Sequence, residues 1–568
     1  RVAYWFNQTL LTIEWFRKSF ERARTELGER YSPDSHIDLP IRRVIEATTR
    51  DPFLFTELAA FGEDIKKKLA ETNQADTAAV TACTDAIQAL VQIASMPSGP
   101  IPIVRLRETL EMARDAIMPW YSTQRDAISS SQPNPLANAI SNLLSAIKNV
   151  SHALAEQHWK HVDTRALLVI GEAGSGKSHL LADICDHIIE TEQPAVMVLG
   201  KKLPDGEPWE EIMKDLGLPR DLPAESFLGA LNAAGQAMGV RALLMIDALN
   251  EKNGQAIWPE RLAGLVHDVD RFEWISLILS CRSTYERLVI PDELDETKLP
   301  RVTHEGFSVR QARLYLKKRG IYLAEEPNSI EEFEIPLFLR ICCDTLQLED
   351  QAILTNRLGG VTAVFKLYTE AVVKRVTKQI GVVPQRRLVE RAIKALAQEM
   401  ADTGREEVAS SRAYDIVSEF FPSTNPVGQD LLFQLQNEGL LTAQPAYEDD
   451  AEEEYRFTFQ RMSDHAIASS LLSRSVIAGD TTTAFAADTP LRRAVMDLYS
   501  PITPGLLEAL AVQLPERFGV ELTDMPDLPD PWVVSEAFEE SLLNRSNKSF
   551  NERTWTLIEE VGSARLRF

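Results

Sequence analysis

Apolar side chains recur at three- and four-residue steps from the start of the chain. Trp5, Phe6, Leu10, Ile13, Phe16 and Phe20 fall on one stripe of a helix that packs against a core. The stripe breaks at Gly28, and the stretch from Arg30-Tyr31-Ser32-Pro33-Asp34 to Leu39-Pro40-Ile41 predicts a proline-punctuated connection into the next helix. Helical patterns follow at about 57–71, 77–95 and 102–118, with breaks at Pro97, Pro100 and Pro102 and a polar connector from Ser129 to Pro135.

From Arg165 to about Tyr285 the pattern changes to short apolar runs alternating with helices, the signature of a parallel sheet with crossover connections. The runs are Ala166–Ile170, Ala195–Leu199, Arg241–Ile246 and Trp274–Ser280. After Pro300 the chain reads as helical again. Helices start at Phe307 and at Glu334, the second with Pro336 in its first turn, where a missing N–H costs nothing. A third covers Phe365 to Thr377 and ends at Gly381 to Pro384. Between 388 and 478 three helices precede a hairpin of Leu440–Ala443 and Tyr455–Phe459, the layout of a winged helix. The remainder is helical, with connections at Pro526, Pro529 and Pro531.

The first two turns of the second pattern carry the chemistry. Ala166-Leu-Leu-Val-Ile runs into Gly171-x4-Gly176-Lys177-Ser178, a phosphate-binding loop between a strand and a helix. Gly171, Gly174, Ser175 and Gly176 let the backbone curl so that N–H groups and the following helix start face one anion. Lys177 reaches the terminal phosphates, the Ser178 hydroxyl sits on a magnesium ion, and His179 follows on the helix. The expected ligands are ATP or ADP with Mg2+. Asp247 emerges at the carboxyl end of its strand, where open sheets place their ligands, as a second magnesium contact. Glu251 is placed to orient or deprotonate a water, which the neighbouring Asn250 cannot do. Arg282, at the tip of the next strand, is a candidate reporter of the terminal phosphate.

The predicted fold class is therefore multidomain and mostly α, with a central α/β P-loop NTPase domain on a parallel sheet, a helical domain and a winged helix. The domains read as 1–150, an N-terminal helical linker domain, and 151–300, the NTPase domain. A small helical domain covers 301–387, the winged helix 388–478, and a further helical region 479–568.

Composition narrows the partners. With 44% hydrophobic and 25% charged residues the chain is ordinary globular material. No apolar run is expected to reach the roughly 18 residues of a membrane span, and no signal-peptide pattern opens the chain. The expectation is a cytoplasmic protein with no membrane contact. Cys83, Cys185, Cys281, Cys342 and Cys343 lack metal-ligand spacing and read as buried thiols. A net charge of −24 argues against a surface that tracks a phosphate backbone. The acidic wing tip, Glu448, Asp449, Asp450, Glu452, Glu453 and Glu454, points the same way and favours packing or switching over DNA reading. Arg1 lies inside an amphipathic pattern and Phe568 follows no capping pattern, so a longer protein is expected.

With these residues laid out, the chain resembles the STAND class of signal-transduction ATPases, which includes animal inflammasome and plant resistance receptors. The order of phosphate loop, Asp-x-x-x-Glu strand, Ser-x-Arg strand, Pro-Leu helix start and winged helix matches over about 165–478. Ile246-Asp-Ala-Leu-Asn-Glu251, the Arg30-Tyr31-Ser-Pro segment and Tyr455-Arg-Phe-Thr-Phe-Gln-Arg-Met-Ser-Asp-His465 look more narrowly like bacterial antiviral STAND proteins of the AVAST (Avs) type.

The resemblance implies a sensor that binds a phage protein, ATP-dependent assembly into a homo-oligomer, a tetramer, and activation of a fused N-terminal effector, often a nuclease. Nucleic acid would then be met only through that effector. It also implies Lys177 and Ser178 as phosphate and magnesium contacts, Asp247 as magnesium ligand, Glu251 as hydrolytic residue, Arg282 as phosphate sensor and Pro336 as adenine contact. His465 lies a few residues beyond the usual place of a β-phosphate-reading histidine, and a surface position after the wing is its other reading. Two rival functions remain, a continuously hydrolysing remodelling ATPase and an ATP-gated transcription regulator whose winged helix reads DNA.

Overall fold

The computed structural model describes residues 11–73, 76–95, 99–126, 134–172, 174–203, 206–219, 221–251, 254–323, 331–348, 353–354, 360–421, 430–444, 452–477, 479–486, 488–496, 503–526, 528 and 530–565. The chain divides into two units, one of residues 1–171 and 177–304, the other of 172–176 and 305–568.

The first unit is built on five parallel strands: β1 (Ala166–Gly171), β2 (Ala195–Leu199), β3 (Ala242–Asp247), β4 (Ile275–Arg282) and β5 (Arg301–Thr303). Their spatial order is β2-β3-β4-β1-β5. The expected strands are all present. The expectation that the chain is helical directly after Pro300 is corrected by β5, which pairs with β1 through Leu168 to Ile170. Three residues with one buried side chain, Val302, are too short for a period-two pattern to show. Central strands are buried on both faces, as in β3, where every residue is buried.

The core around the sheet takes in Leu11, Phe16, Phe20, Leu27, Tyr31, Val44 and Ile45. The helices Ile13–Leu27 and Pro40–Thr49 therefore pack with the sheet, while Leu54 to Val162 build a separate helical core. A boundary drawn at 150 by composition misses this, because the helical stripe at Phe16 and Phe20 looks the same whichever core it enters. Arg241 fastens the arrangement: its buried guanidinium donates to the carbonyls of Thr48, Val162 and Thr164.

One helix corrects the expectation that no apolar run reaches the length of a membrane span. Thr77–Ala94 is 18 residues long with a mean hydropathy of 1.2, enough by length and composition to span a bilayer. Its Ala79, Cys83, Ala86 and Leu90 are buried in the helical core, and Asp85 and Gln88 interrupt the other faces. All five cysteines are free and buried.

In the second unit a capping box of Ser308 and Gln311 opens the helix Val309–Lys318, and Pro336 is the first residue of Pro336–Leu348. The long helix Val361–Ile380 stops at Gly381, whose φ of 75° suits glycine. From Leu388 the order is helix, strand (Val408–Ala409), helix, helix and a hairpin of Leu441–Gln444 with Glu454–Phe457. The short first strand pairs with Glu454 and Tyr455, completing a three-stranded wing that the sequence reading gave two strands. Two of the described wing carboxylates are engaged locally: Glu452 accepts from the Ser411 amide and hydroxyl, and Glu454 pairs with Arg405. Glu448, Asp449 and Asp450 lie outside the described residues.

Candidate functional site

At the carboxyl end of β1 the chain enters the phosphate loop. Gly174 and Gly176 adopt φ of 78° and 104°, a region open to glycine, and the helix Lys177–Glu190 follows. The Lys177 ammonium donates to the Gly171 carbonyl at 2.7 Å. Within the second unit Leu337 N–H donates to the Gly174 carbonyl at 3.2 Å, next to Pro336.

β4 lies between β1 and β3, so side chains from all three strand ends can converge. Arg282 stands in register with Gly171, and its backbone N–H donates to Asn250 Oδ1 at 3.1 Å. Asp247 ends β3 and is 1% exposed. The Ser280 hydroxyl donates to its Oδ1 at 2.5 Å, while Oδ2 is buried with no hydrogen-bond partner. Burial pushes the Asp247 carboxyl up. The Ser280 and Ser178 hydroxyls pull it back, Glu251 adds to the rise and Arg30 opposes it.

Such a site fits a magnesium ion, a hard cation that takes oxygen donors: a buried carboxylate oxygen without a partner beside a serine hydroxyl supplies two. The same positive charge would offset the cost of keeping Asp247 ionised in the interior.

The turn after Asp247 is tight. Ala248 has φ 60°, its N–H donates to Ser280 Oγ at 2.7 Å, and Glu251 N–H closes onto the Ala248 carbonyl at 3.0 Å. This keeps Glu251 at the same end of β3 as Asp247. Its carboxylate meets Arg30, whose Nη1 donates to Oε1 at 2.7 Å, and Lys201 adds a second cation nearby.

His179, two residues after Lys177, also joins a clamp. Its Nδ1 accepts the Ser32 N–H at 3.3 Å, its Nε2 lies 3.3 Å from His36 Nδ1, and the rings stack with centroids 5.5 Å apart. His36, His179 and Asp183 bring three ligand-type atoms within 4.8 Å of one another. His36 Nδ1 also lies 3.2 Å from Asp183 Oδ1, so the ring nitrogens of both histidines and the carboxylate share one network. Arg42 holds Asp183 Oδ2 at 2.6 Å. The cluster is a hydrogen-bonded fastening of residues 32–42 to the helix that carries Lys177.

His465 is 5% exposed, which corrects its reading as a surface residue. Its Nδ1 lies 3.4 Å from both Thr362 Oγ1 and Gln513 Nε2, its ring meets Phe365 edge-on, and burial lowers it to about 3.

Sequence reasoning missed four contributors: Arg30 and Lys201 at Glu251, Ser280 on Asp247, and His304, a buried histidine close to Lys177. Burial, with the Lys177 charge second, lowers His304 to about 4 and keeps it neutral. Ser280 was legible as the serine of the Ser-x-Arg strand end. Arg30 and Glu251 are 221 residues apart, and no local pattern links them.

Fold and site together define a phosphate-loop α/β unit with a carboxylate pair at the strand ends. Among solved structures the chain is similar to Cdc6p from Pyrobaculum aerophilum at 12% identity, covering 54% of this chain and 88% of that one, with a TM-score of 0.25. It is similar to the Aeropyrum pernix Orc1 protein in complex with DNA at 11% identity, covering 55% and 88%, with a TM-score of 0.28. For Drosophila ORC bound to AT-rich DNA and Cdc6 the identity is 11%, the coverage 62% and 91%, and the TM-score 0.18. At scores this low the likeness supports no statement about what the chain does. No protein-family model matches the chain, and no curated protein matches it.

Proposed function

We propose that this chain is a magnesium-dependent ATP-binding and ATP-hydrolysing switch. The observation that carries the reading is Asp247 Oδ2, a buried carboxylate oxygen in no regular hydrogen bond, set close to Ser178 at the end of β3; β4 beside it carries Arg282, and β1, one strand further, leads into Lys177. Lys177 would exchange the Gly171 carbonyl for the terminal phosphates. Ser178 and Asp247 would hold magnesium, which when bound neutralises phosphate charge. Glu251 takes a proton from the attacking water, and Arg282 donates to the terminal phosphate. Pro336 as an adenine contact belongs to this proposal. His465 as a phosphate-reading histidine belongs to it too: its Nδ1 faces Thr362 and Gln513, while its buried Nε2 has no hydrogen-bond partner.

The finer reading rests on the resemblance of Ile246–Glu251, Arg30–Pro33 and Tyr455–His465 to antiviral STAND proteins. In it the switch acts in the cytoplasm in antiphage defence: a phage protein engages a sensor, ATP-bound protomers assemble, and a fused effector, a nuclease, turns on. Shifting such an equilibrium from about 1:99 to 99:1 takes roughly 5.5 kcal/mol of differential binding. Mass measurement of the protein with ATP and Mg2+, with and without a candidate phage protein, tests this. Trigger-dependent assembly that Lys177→Ala removes supports it. Assembly with ATP alone and rapid turnover favour a remodelling ATPase instead.

A further inference from the structure

The contact between Arg30 and Glu251 joins a residue before the first helical core to the candidate water-activating group. We propose that Arg30 is a positioning residue that orients the Glu251 carboxylate for hydrolysis, so that the segment 30–36 is part of the hydrolytic machinery. The inference rests on the reading of Glu251 as the group that activates water.

Three observations carry it. The pair is short and directional, Nη1 to Oε1 at 2.7 Å, with side chains 36% and 20% exposed. Its geometry is fixed from the arginine side. Tyr31, adjacent to Arg30, is buried, donates through its hydroxyl to Asp186 Oδ2 at 2.8 Å and packs edge-on against Phe20. Ser32 N–H donates to His179 Nδ1, and the His36 ring stacks on His179. Asp186 and His179 lie on Lys177–Glu190, so the segment bearing Arg30 is bound to the helix bearing Lys177 and Ser178.

The third observation is the freedom that Glu251 would otherwise have. Its backbone is set by the bond to the Ala248 carbonyl, but its side chain has three rotatable bonds that the turn does not fix. A guanidinium N–H on one carboxylate oxygen restricts the side chain to the rotamers that keep that bond. Lys201 contributes charge nearby, and the directional bond to Glu251 comes from Arg30. A partly exposed ion pair contributes little to stability, so variants at Arg30 are expected to fold.

The test is single-turnover ATP hydrolysis by the whole chain with Mg2+, together with binding of a non-hydrolysable ATP analogue. Arg30→Ala is expected to slow hydrolysis roughly 10- to 100-fold, the scale of a misplaced catalytic group. Arg30→Lys should fall between it and wild type, and analogue affinity should stay within about twofold. Adding Arg30→Ala to Glu251→Gln should cost nothing further, because the group being positioned is gone. Wild-type hydrolysis in Arg30→Ala, a further loss in the Glu251→Gln background, or a parallel loss of analogue affinity would each overturn the inference while leaving the ATPase reading intact. Absence of any wild-type hydrolysis that Lys177→Ala removes would overturn that reading and this inference with it.

Discussion

The Ser280 hydroxyl donates to Asp247 Oδ1 at 2.5 Å and accepts the Ala248 N–H at 2.7 Å. One fully buried side chain on β4 thus fixes both the acid at the end of β3 and the strained turn behind it. Ser280→Ala leaves a buried amide and a carboxylate oxygen unpaired, at a cost of about 1–3 kcal/mol. Denaturant unfolding should report that loss. The same variant should also bind ATP less tightly in Mg2+ while its affinity in EDTA changes little, since only the magnesium-facing carboxylate is disturbed.

Gly200 follows β2 and faces the same turn. A Cβ there would stand 2.3 Å from the Ala248 carbonyl oxygen and 3.0 Å from that of Asp247, both backbone atoms that cannot rotate away. Gly200→Ala is expected to destabilise by about 1–3 kcal/mol and to displace Asp247. Gly264, inside the helix Gly254–Asp270, has open space around its Cβ position. Gly264→Ala should therefore stabilise by about 0.5–1 kcal/mol. Equal thermal shifts for the two variants would contradict this geometry.

Buried titrating groups make stability depend on pH from both sides. Burial raises Asp464 to about 8, with Glu406 and Glu508 adding to the rise and Arg461 opposing it. A raised folded value means that this group's contribution is complete below its ordinary value of 3.8 and lost as pH rises through 8. Asp464→Asn should remove that loss, so its melting temperature relative to wild type should climb between pH 5 and pH 8. His304, lowered to about 4, and His465, lowered to about 3, act at the other end. Their contribution is present above the ordinary 6.5 and lost as pH falls toward 3 to 4. A variant-minus-wild-type difference for Asp464→Asn that is flat with pH would contradict the assignment.

What the sequence makes legible follows from the range of each signal. Strand–loop–helix order and the Asp-x-x-x-Glu spacing are local, and the helix that opens with Lys177 and Ser178 packs against the strand that ends in Asp247. Arg282 sits in register with Gly171 because β4 adjoins β1, an adjacency that the sequence order of strands does not reveal. β5 and the wing's first strand are too short to carry periodicity. Arg30 reaches Glu251 only through tertiary packing of Tyr31 and His36, and His465 differs from a surface histidine only by what covers it. In each case the missing information is a long-range contact, which apolar spacing cannot encode.

The central claim is that Lys177, Ser178 and Asp247 form a site for ATP with magnesium. Equilibrium binding of ATP to the whole chain, with Mg2+ and with EDTA, for wild type and Lys177→Ala, tests it most directly. The account predicts magnesium-dependent binding that weakens about ten- to a hundredfold in Lys177→Ala, the worth of one charge-assisted hydrogen bond. Binding that is indifferent to both magnesium and Lys177, or no binding by the wild-type chain, would contradict it.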